Sequence, residues 1–350
     1  MLLSPLRNIN PTNRRKTSIA GNPPVNTVAP VITGTLNVGS VLTCSNGTWI
    51  NGVDTYDYQW KRGVTNIGTN SPNYTQVWDD INQNITCTVT ATNAYGNSSQ
   101  VSNTVVTLVT LEAIYSNFVG YSAWSSVKST DVGTTTTWQG YGGVHNLANP
   151  SATNQPTANA TDSDFNNKKT YTFATDDYLI KNFNNYGSGR TSGSLWFVIK
   201  TPATLDAYQF IFGVCNSSNN LSKLNVYIDL SGEIRFLSAS GAVTNIIRDT
   251  TPLSANTKYI IEVENNGSST SIYINGTLRT TAVFNGSDGA IWFAYANTLN
   301  TLTNISIGAR INTVPFYYNG KIAYVGDFPL LSSGNRADMF SKLNNYFNVY

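Results

Sequence analysis

Histidine and glutamate are nearly absent from this chain of 350 residues. There is one histidine, His145, and there are four glutamates. The histidine stands in the segment YGGVHNLANP, which has the composition of a polar loop. The sequence therefore predicts neither a histidine-based catalytic triad nor a metal site built from several histidines.

Charged residues are also scarce. They make up 11% of the chain, against about 25% in ordinary soluble domains. Asn, Thr, Ser and Gly take their place, and 12% of the residues are aromatic. Apolar residues alternate with these polar ones in most segments, so enough surface can be buried to offset the entropy of the chain. This composition favours a β-rich protein that works outside a metabolic cytosol, such as an adhesin or a virion protein.

No long hydrophobic run is present. No segment approaches the ~20 apolar residues of a membrane-spanning helix, so we expect no membrane insertion. The opening MLLSPLRNINP lacks the pattern of a secretory signal, because its apolar stretch is short and its arginines follow it. We therefore expect synthesis in a host cytoplasm and release by another route, for example inside an assembled particle.

No acidic residue precedes Asp54. The same stretch carries Arg7, Arg14, Arg15 and Lys16 within its first sixteen residues. A basic arm on a slightly acidic body is typical of an electrostatic attachment segment. A solvated tail is the alternative interpretation. The arm lacks interleaved aromatic residues, so we expect no specific binding of nucleic acid. We expect its cations to act together with the apolar side chains of the same arm, which are Leu2, Leu3, Leu6 and Ile9.

Three cysteines are too few for a disulfide scaffold. Cys44 in SVLTCSNGTW, Trp60 in YDYQWKR and Cys87 in NITCTVTATN follow the immunoglobulin order, in which a strand tryptophan packs on a cysteine pair between two sheets. Residues 31–96 resemble the Ig-like domains of bacterial surface and bacteriophage proteins. The resemblance implies that Cys44 and Cys87 face each other in the core, either oxidised or reduced. Cys215, in FIFGVCNSS, is predicted to be a buried strand residue.

The C-terminal two thirds contain paired strand signals. Asn275-Gly276 separates two alternating runs, and Asn319-Gly320 repeats the device between FYY and KIAYV. Asn-Gly between alternating runs is a strong hairpin signal. Together with SLWFVIKTP, SGEIRF and IYINGT, these segments resemble the laminin-G-like, concanavalin A-like lectin/glucanase sandwich. The final NRADMFSKLNNYFNVY has apolar residues at helical spacing and is predicted to be a helix.

These observations predict an all-β protein. We expect an extended basic arm over residues 1–27, an Ig-like β-sandwich over 28–108, and a concanavalin A-like, laminin-G-like sandwich over 109–350 that ends in a short helix.

The glucanase relatives of this sandwich carry a strand motif E-x-D-x-x-E whose carboxylates point into a groove. The nearest match is Glu262-Val263-Glu264, which lacks the aspartate and has Gly267 at the third position. Hydrolysis by paired carboxylates is therefore not expected. We predict that Glu262 and Glu264 are solvated on one strand face and that the protein is not an enzyme.

Carbohydrate binding needs aromatic platforms beside amide and carboxylate groups. Because alternate residues of a strand point to the core, about half of the candidates must be structural. The candidates are Asp177, Trp292, Tyr295, Tyr317, Tyr318 and Asn319.

A Ca²⁺ ion is an alternative ligand. Oxygen donors could come from Asp162, Asp164, Asp176 and Asp177, as at the rim of some laminin-G domains. Their spacing is not that of a dedicated calcium loop. The favoured interpretation is a turn and a strand cap, with no cofactor and no metal.

The leading functional hypothesis is a bacteriophage virion surface protein, either a capsid decoration or a head-fibre component. Its arm would bind a capsid or other virion structural protein, and its lectin-like domain would bind glycans. One alternative is a tail-fibre adhesin that recognises host glycans. The other is a secreted carbohydrate-active enzyme or its binding module. Homo-oligomerisation stays open.

Overall fold

The computed structural model describes residues 21–81, 83–107, 153–183, 187, 189–216, 223–289, 291–298, 301–311 and 316–350, with short strands between residues 122 and 148. The chain divides into two compact units, Met1–Leu108 and Val109–Tyr350. Residues 1–20 of the predicted arm lie outside the described residues, as does His145, whereas the last residues of the arm enter the strand Val25–Val28. The predicted partner-binding residues of the arm, which all lie within residues 1–20, are Leu2, Leu3, Leu6, Arg7, Ile9, Arg14, Arg15 and Lys16.

The described part of the first unit is built from short strands. They are β1 (Val25–Val28), β2 (Ile32–Gly34), β3 (Val41–Cys44), β4 (Thr48–Ile50), β5 (Thr55–Arg62), β6 (Thr65–Ile67), β7 (Asn73–Thr75), β8 (Asn84–Asn93), β9 (Gly96–Val101) and β10 (Val105–Val106). One sheet has the order β10-β8-β5-β6, with β9 also paired to β8, and a second has the order β2-β3-β7. A 3₁₀ turn spans Trp78–Asp80.

Cys44, Trp60 and Cys87 lie together in the core between these sheets. Trp60 is fully buried, its ring stacks on Tyr74 with centroids 5.4 Å apart, and its indole N–H donates to the carbonyl of Ser71. Both cysteines are free thiols. A hydrogen bond with Cys44, together with burial, raises the pKa of the Cys87 thiol far above its usual range. The two sulfur groups are therefore in contact across the core.

The second unit contains twenty described strands. They are β11 (Ser122–Ser125), β12 (Gly133–Thr134), β13 (Thr137–Trp138), β14 (Leu147–Ala148), β15 (Thr157–Asp162), β16 (Lys168–Thr172), β17 (Leu179–Asn182), β18 (Gly193–Lys200), β19 (Gln209–Cys215), β20 (Lys223–Ile228), β21 (Ile234–Ser240), β22 (Val243–Asp249), β23 (Lys258–Asn265), β24 (Thr270–Ile274), β25 (Thr277–Leu278), β26 (Thr281–Asn285), β27 (Asn304–Ile307), β28 (Ala309–Arg310), β29 (Phe316–Tyr317) and β30 (Lys321–Phe328). Two α-helices are described, α1 (Phe293–Ala296) and α2 (Ser333–Phe347), and a 3₁₀ turn spans Ser163–Phe165.

Eighteen of these strands form two nine-stranded sheets, and β28 and β29 form a separate pair. Sheet A has the order β12-β15-β16-β30-β18-β23-β24-β25, with β11 also paired to β30, and sheet B has the order β13-β14-β17-β27-β19-β20-β21-β22-β26. Side chains from both sheets, such as Phe197 of β18 and Phe212 of β19, fill one core. The prediction of an all-β protein with a short C-terminal helix is confirmed.

Sheet B is apolar on both faces. Leu224, Val226 and Ile228 point from β20 into the main core, whereas Tyr227 belongs to a second cluster on the opposite face. That second cluster contains Phe210, Tyr227, Leu237 and Ala239, with Ile246 and Phe316 packed against it. We call it the outer aromatic cluster. Strands buried on both faces do not alternate in sequence, so this second apolar layer is not visible as a period-two pattern.

Helix α2 covers the outer face of sheet A. The ring of Phe340 packs on Trp196 with centroids 4.6 Å apart. The Arg336 guanidinium donates to Glu262 at 2.8 Å and also to Glu264. Glu262 is 0% exposed and Glu264 8%, so the prediction that both are solvated was wrong. Helix α2 shields both carboxyl groups from solvent, and its Arg336 pairs with each of them.

The two Asn-Gly turns differ. Asn275 and Gly276 have φ of 52° and 82° and connect the paired strands β24 and β25, as predicted. Asn319-Gly320 was predicted to be a second hairpin turn, and this prediction was wrong. It carries the chain from β29, which pairs with β28, to β30 in sheet A. A Cβ at position 320 would lie 2.5 Å from the Lys200 carbonyl oxygen, so glycine is required here for close packing.

Candidate glycan-binding cleft

A cleft of about 590 Å³ lies where the loop between β18 and β19 approaches strand β29. A volume of this size suits a small-molecule site. It is lined by Thr175, Thr204, Asp206, Ala207, Tyr208, Gln209, Leu230, Phe316, Tyr317 and Asn319. Segments far apart in sequence therefore converge at one edge of the outer aromatic cluster.

Aromatic rings form the wall of this cleft. Phe316 packs on Phe210 with centroids 5.4 Å apart and meets the Tyr208 ring edge-on at 6.1 Å. The Arg310 guanidinium lies over Phe316 at 4.4 Å and over Phe210 at 5.0 Å. Such cation–π contacts hold the rings in place from behind. Tyr208 is 42% exposed, so its ring is available to a ligand.

Polar groups stand beside the rings. The Asp206 carboxylate accepts a hydrogen bond from Thr204 Oγ1 at 3.0 Å, which orients it at the surface. The amide side chain of Gln209 is held in place, because its Oε1 accepts from the Asn319 backbone N–H at 2.8 Å. The exposed Asn319 side chain completes the rim. Rings with a few convergent polar groups are the usual composition of a ligand pocket.

A second, smaller hollow adjoins the cleft. Its volume is about 260 Å³, and Asn319 lines both spaces. Its lining residues are Thr172, Phe173, Ala174, Lys200, Thr201, Pro202, Ala203, Asn256, Asn319, Gly320 and Lys321.

Among the predicted glycan-binding residues, Tyr317 and Asn319 line the cleft. Trp292 and Tyr318 are 0% exposed and belong to the main core, so neither can offer a ring to a sugar and both predictions were wrong. The Tyr318 hydroxyl donates to the Lys200 carbonyl at 2.7 Å. Tyr295, on α1, is half-buried and packs against the same core.

The predicted aspartates have structural roles. Asp177 is buried, and its carboxylate accepts from the Ala174 backbone N–H at 2.7 Å, so it closes a turn before β17. Lys321 lies 2.9 Å from Asp162 and 2.7 Å from Asp164. Hydrogen bonds from Lys200 and Lys321 lower the pKa of Asp164 to about 2.

These aspartates do not assemble into a calcium site. The described residues contain no group of three or more carboxylate, histidine or cysteine side chains that could hold a metal ion. The fourth candidate, Asp176, is exposed in a turn with a φ of 82°. The carboxylates of Asp162 and Asp164 are already paired with lysines, and these ammonium groups would repel a bound cation.

Sequence reasoning missed Tyr208, Asp206 and Phe316. A signal existed for Tyr208 and Asp206, because ATLDAYQF places an acid and an aromatic residue in a turn-rich loop directly before a strand. Phe316 is adjacent to the predicted Tyr317, but its side chain could not be assigned to a face without the path of β29.

Within the described residues, no helix is long and apolar enough to cross a membrane.

No protein-family model matches the chain, and no curated protein matches its sequence. Solved structures with some similarity include the CBM40 of the Ruminococcus gnavus IT-sialidase, with 14% identity and a TM-score of 0.36 over 43% of this chain and 81% of that one. Domain 4 of a GH43 extracellular arabinanase from Geobacillus stearothermophilus, in complex with arabinotriose, has 10% identity and a TM-score of 0.40 over 53% and 80%.

A third similar structure is that of botulinum neurotoxin type C, whose cell entry depends on interaction with two ganglioside molecules. It has 17% identity and a TM-score of 0.39 over 67% of this chain and 53% of the toxin chain. At these identities and TM-scores the three similarities establish no ligand for this chain. The site is therefore argued from the chain's own residues.

Proposed function

We propose that the second unit is a glycan-binding module and that its ligand lies in the 590 Å³ cleft. The observation that carries this proposal is the convergence of Tyr208, Phe316 and Tyr317 with Asp206 and Asn319 around one cleft. The flat faces of sugar rings are apolar and stack on aromatic side chains, while their hydroxyl groups bind carboxylate and amide oxygens. The cleft offers both kinds of group.

Substitution of Tyr208 by alanine tests this proposal. The wild-type protein is screened on an array of neutral and acidic glycans, and the best-binding series is then titrated. Tyr208→Ala should weaken binding about tenfold, because a stacked ring and its buried area are lost. Tyr95→Ala is the matched control, since Tyr95 is 57% exposed but belongs to the first unit. Equal loss in both variants, or no binding to any glycan, would reject the cleft as a glycan site.

We further propose that the module binds without cleaving. Glycosidases of the usual kind place two carboxyl groups on either side of the scissile bond. Among the lining residues of the cleft, Asp206 is the one carboxylate. The nearest glutamate pair of the sequence, Glu262 and Glu264, is committed to Arg336 under α2. These features support a binding role, and release of reducing ends from the bound glycan would argue against it.

Two settings for such a module remain as proposals. One is display on a bacteriophage particle, supported by the basic N-terminal sequence and by the resemblance of residues 31–96 to phage-type Ig-like domains. The other is a binding module attached to a carbohydrate-active enzyme, with which a glycan cleft is equally consistent. A tail-fibre adhesin shares the first setting and differs only in position on the particle.

Deletion of residues 1–20 tests the virion setting. The arm's leucine and isoleucine side chains would supply most of the attachment energy, at about 1.5–3 kcal/mol each if buried, whereas exposed ion pairs add about 0.2–1 kcal/mol each. The truncated protein should fold, bind its glycan and be absent from purified particles. Unchanged incorporation into particles would refute attachment through the arm.

A further inference from the structure

The cleft and the second hollow adjoin each other. Two pairs of consecutive residues are divided between the spaces. Ala174 and Ala203 line the hollow, and the residues that follow them, Thr175 and Thr204, line the cleft. Asn319 is shared by both. Asn319 is therefore the place at which a ligand seated on the aromatic wall would reach the hollow.

The second hollow is lined by small apolar residues together with amide, hydroxyl and lysine side chains. Its polar residues include Asn256, which is exposed, and Thr172, which is half-buried. Rings are concentrated in the cleft, whereas the hollow has Phe173 as its one aromatic lining residue, and Phe173 is 1% exposed. The two spaces therefore differ in their aromatic content: exposed rings line the first, whereas smaller side chains line the second.

The hollow also contains two lysines, but their charges are already balanced. The ammonium group of Lys200 lies 2.9 Å from Asp164, and that of Lys321 lies within 3.0 Å of both Asp162 and Asp164. If either lysine turned to bind an anionic ligand, it would lose a charge-assisted hydrogen bond with an aspartate. The carboxylate of Asp206 in the cleft would also repel an anionic ligand.

We propose that the ligand is a neutral oligosaccharide of two or more sugar residues that spans both spaces and passes Asn319. One sugar stacks on the aromatic wall of the cleft, and the next places its hydroxyl groups among the amides and hydroxyls of the hollow. This inference rests on the proposed glycan-binding function and adds the class and minimum length of the ligand.

Two alanines of one loop offer a matched pair of variants. Ala203 lines the hollow and Ala207 lines the cleft, and both are exposed in the loop between β18 and β19. Ala203→Leu and Ala207→Leu therefore add the same three carbons to one space or the other, at surface positions that tolerate substitution. Thermal melting of both variants checks that the fold is unchanged.

The experiment is an NMR titration, which measures millimolar affinities. The probes are the cello-, malto-, xylo- and arabino-oligosaccharides of one to six residues, with 3′-sialyllactose and lactose as the anionic and neutral pair. In the best-binding series, affinity should rise about tenfold from the monosaccharide to the disaccharide or trisaccharide. Lactose should bind at least as tightly as 3′-sialyllactose.

The variants separate the two spaces. Ala207→Leu should weaken every length, whereas Ala203→Leu should remove the gain with length and leave monosaccharide affinity within about twofold. Equal affinity for every length, or an Ala203→Leu variant that weakens all lengths equally, would overturn the inference while leaving glycan binding intact. Tighter binding of 3′-sialyllactose than lactose would overturn the assignment of a neutral ligand. Absence of binding to every probe would instead refute the proposed function.

Discussion

At the scale of single residues, neighbours in sequence have opposite roles. Tyr317 lines the cleft, whereas Tyr318 is fully buried and donates to the Lys200 carbonyl. Both are tyrosines in one short segment, FYYN. The alternation of a strand predicts that one points inward and the other outward, but not which one. Only the pairing of β29 with β28, and its position beside β19, settles this assignment.

Glu262 has the most perturbed environment among the described carboxylates for which a shifted pKa value is resolved. Burial raises its pKa to about 8; the Arg336 guanidinium opposes this shift, and the nearby Glu264 adds to it. Its Oε1 atom has no hydrogen-bond partner among the described residues. At neutral pH the Glu262 carboxyl group is therefore protonated in the native state. In the unfolded chain, where the pKa of a glutamate is about 4.3, it is ionised.

This difference predicts a stability that falls as pH rises. Between about pH 4.5 and pH 8 the native state binds more protons than the unfolded state, so the free energy of unfolding should decrease, by up to about 4 kcal/mol, across that window. Glu262→Gln has no carboxyl group to titrate and should lose this slope. Chemical denaturation at several pH values measures it. A wild-type stability that is flat or rises over the window would contradict the assigned proton.

At the scale of elements, the first Asn-Gly turn and the C-terminal helix were predictable because local chemistry determines them. Asn275-Gly276 forms its hairpin since both residues accept positive φ, and α2 begins where the Ser332 side chain accepts from the Asn335 N–H at 3.2 Å. Asn319-Gly320 has the same sequence, but it connects β29 to β30 of sheet A and does not form a hairpin. The long-range contact of Gly320 with β18 decides its role, and a local motif cannot report it.

The outer aromatic cluster explains why the cleft was only half predicted. Strands β19 and β21 are buried at every position, so QFIFGVC and IRFLSAS read as runs without a strict period-two alternation. Such runs predict a strand but not two distinct apolar faces. The residues missed at the cleft, Tyr208 and Phe316, pack on that hidden second face. The fold class could be read from the sequence, whereas the site required the sheet order.

At the scale of the whole molecule, the proposed site belongs to one unit. Every residue that lines the two spaces lies between Thr172 and Lys321, inside the unit Val109–Tyr350. Residues 109–350, expressed alone, should therefore fold and bind the selected oligosaccharide with the affinity of the full chain. Isothermal titration of both proteins measures this. A loss of more than about tenfold in the isolated unit would show that the first unit contributes to binding.

The cleft is assembled from segments that are distant along the chain. Thr175 reaches this space from the loop between β16 and β17, Leu230 from the loop between β20 and β21, and Phe316 from β29. A bound oligosaccharide would therefore act as a non-covalent cross-link between segments that separate on unfolding. It should slow proteolysis of the whole unit as well as raise its melting temperature, because a ligand that binds only the native state stabilises every segment that it joins.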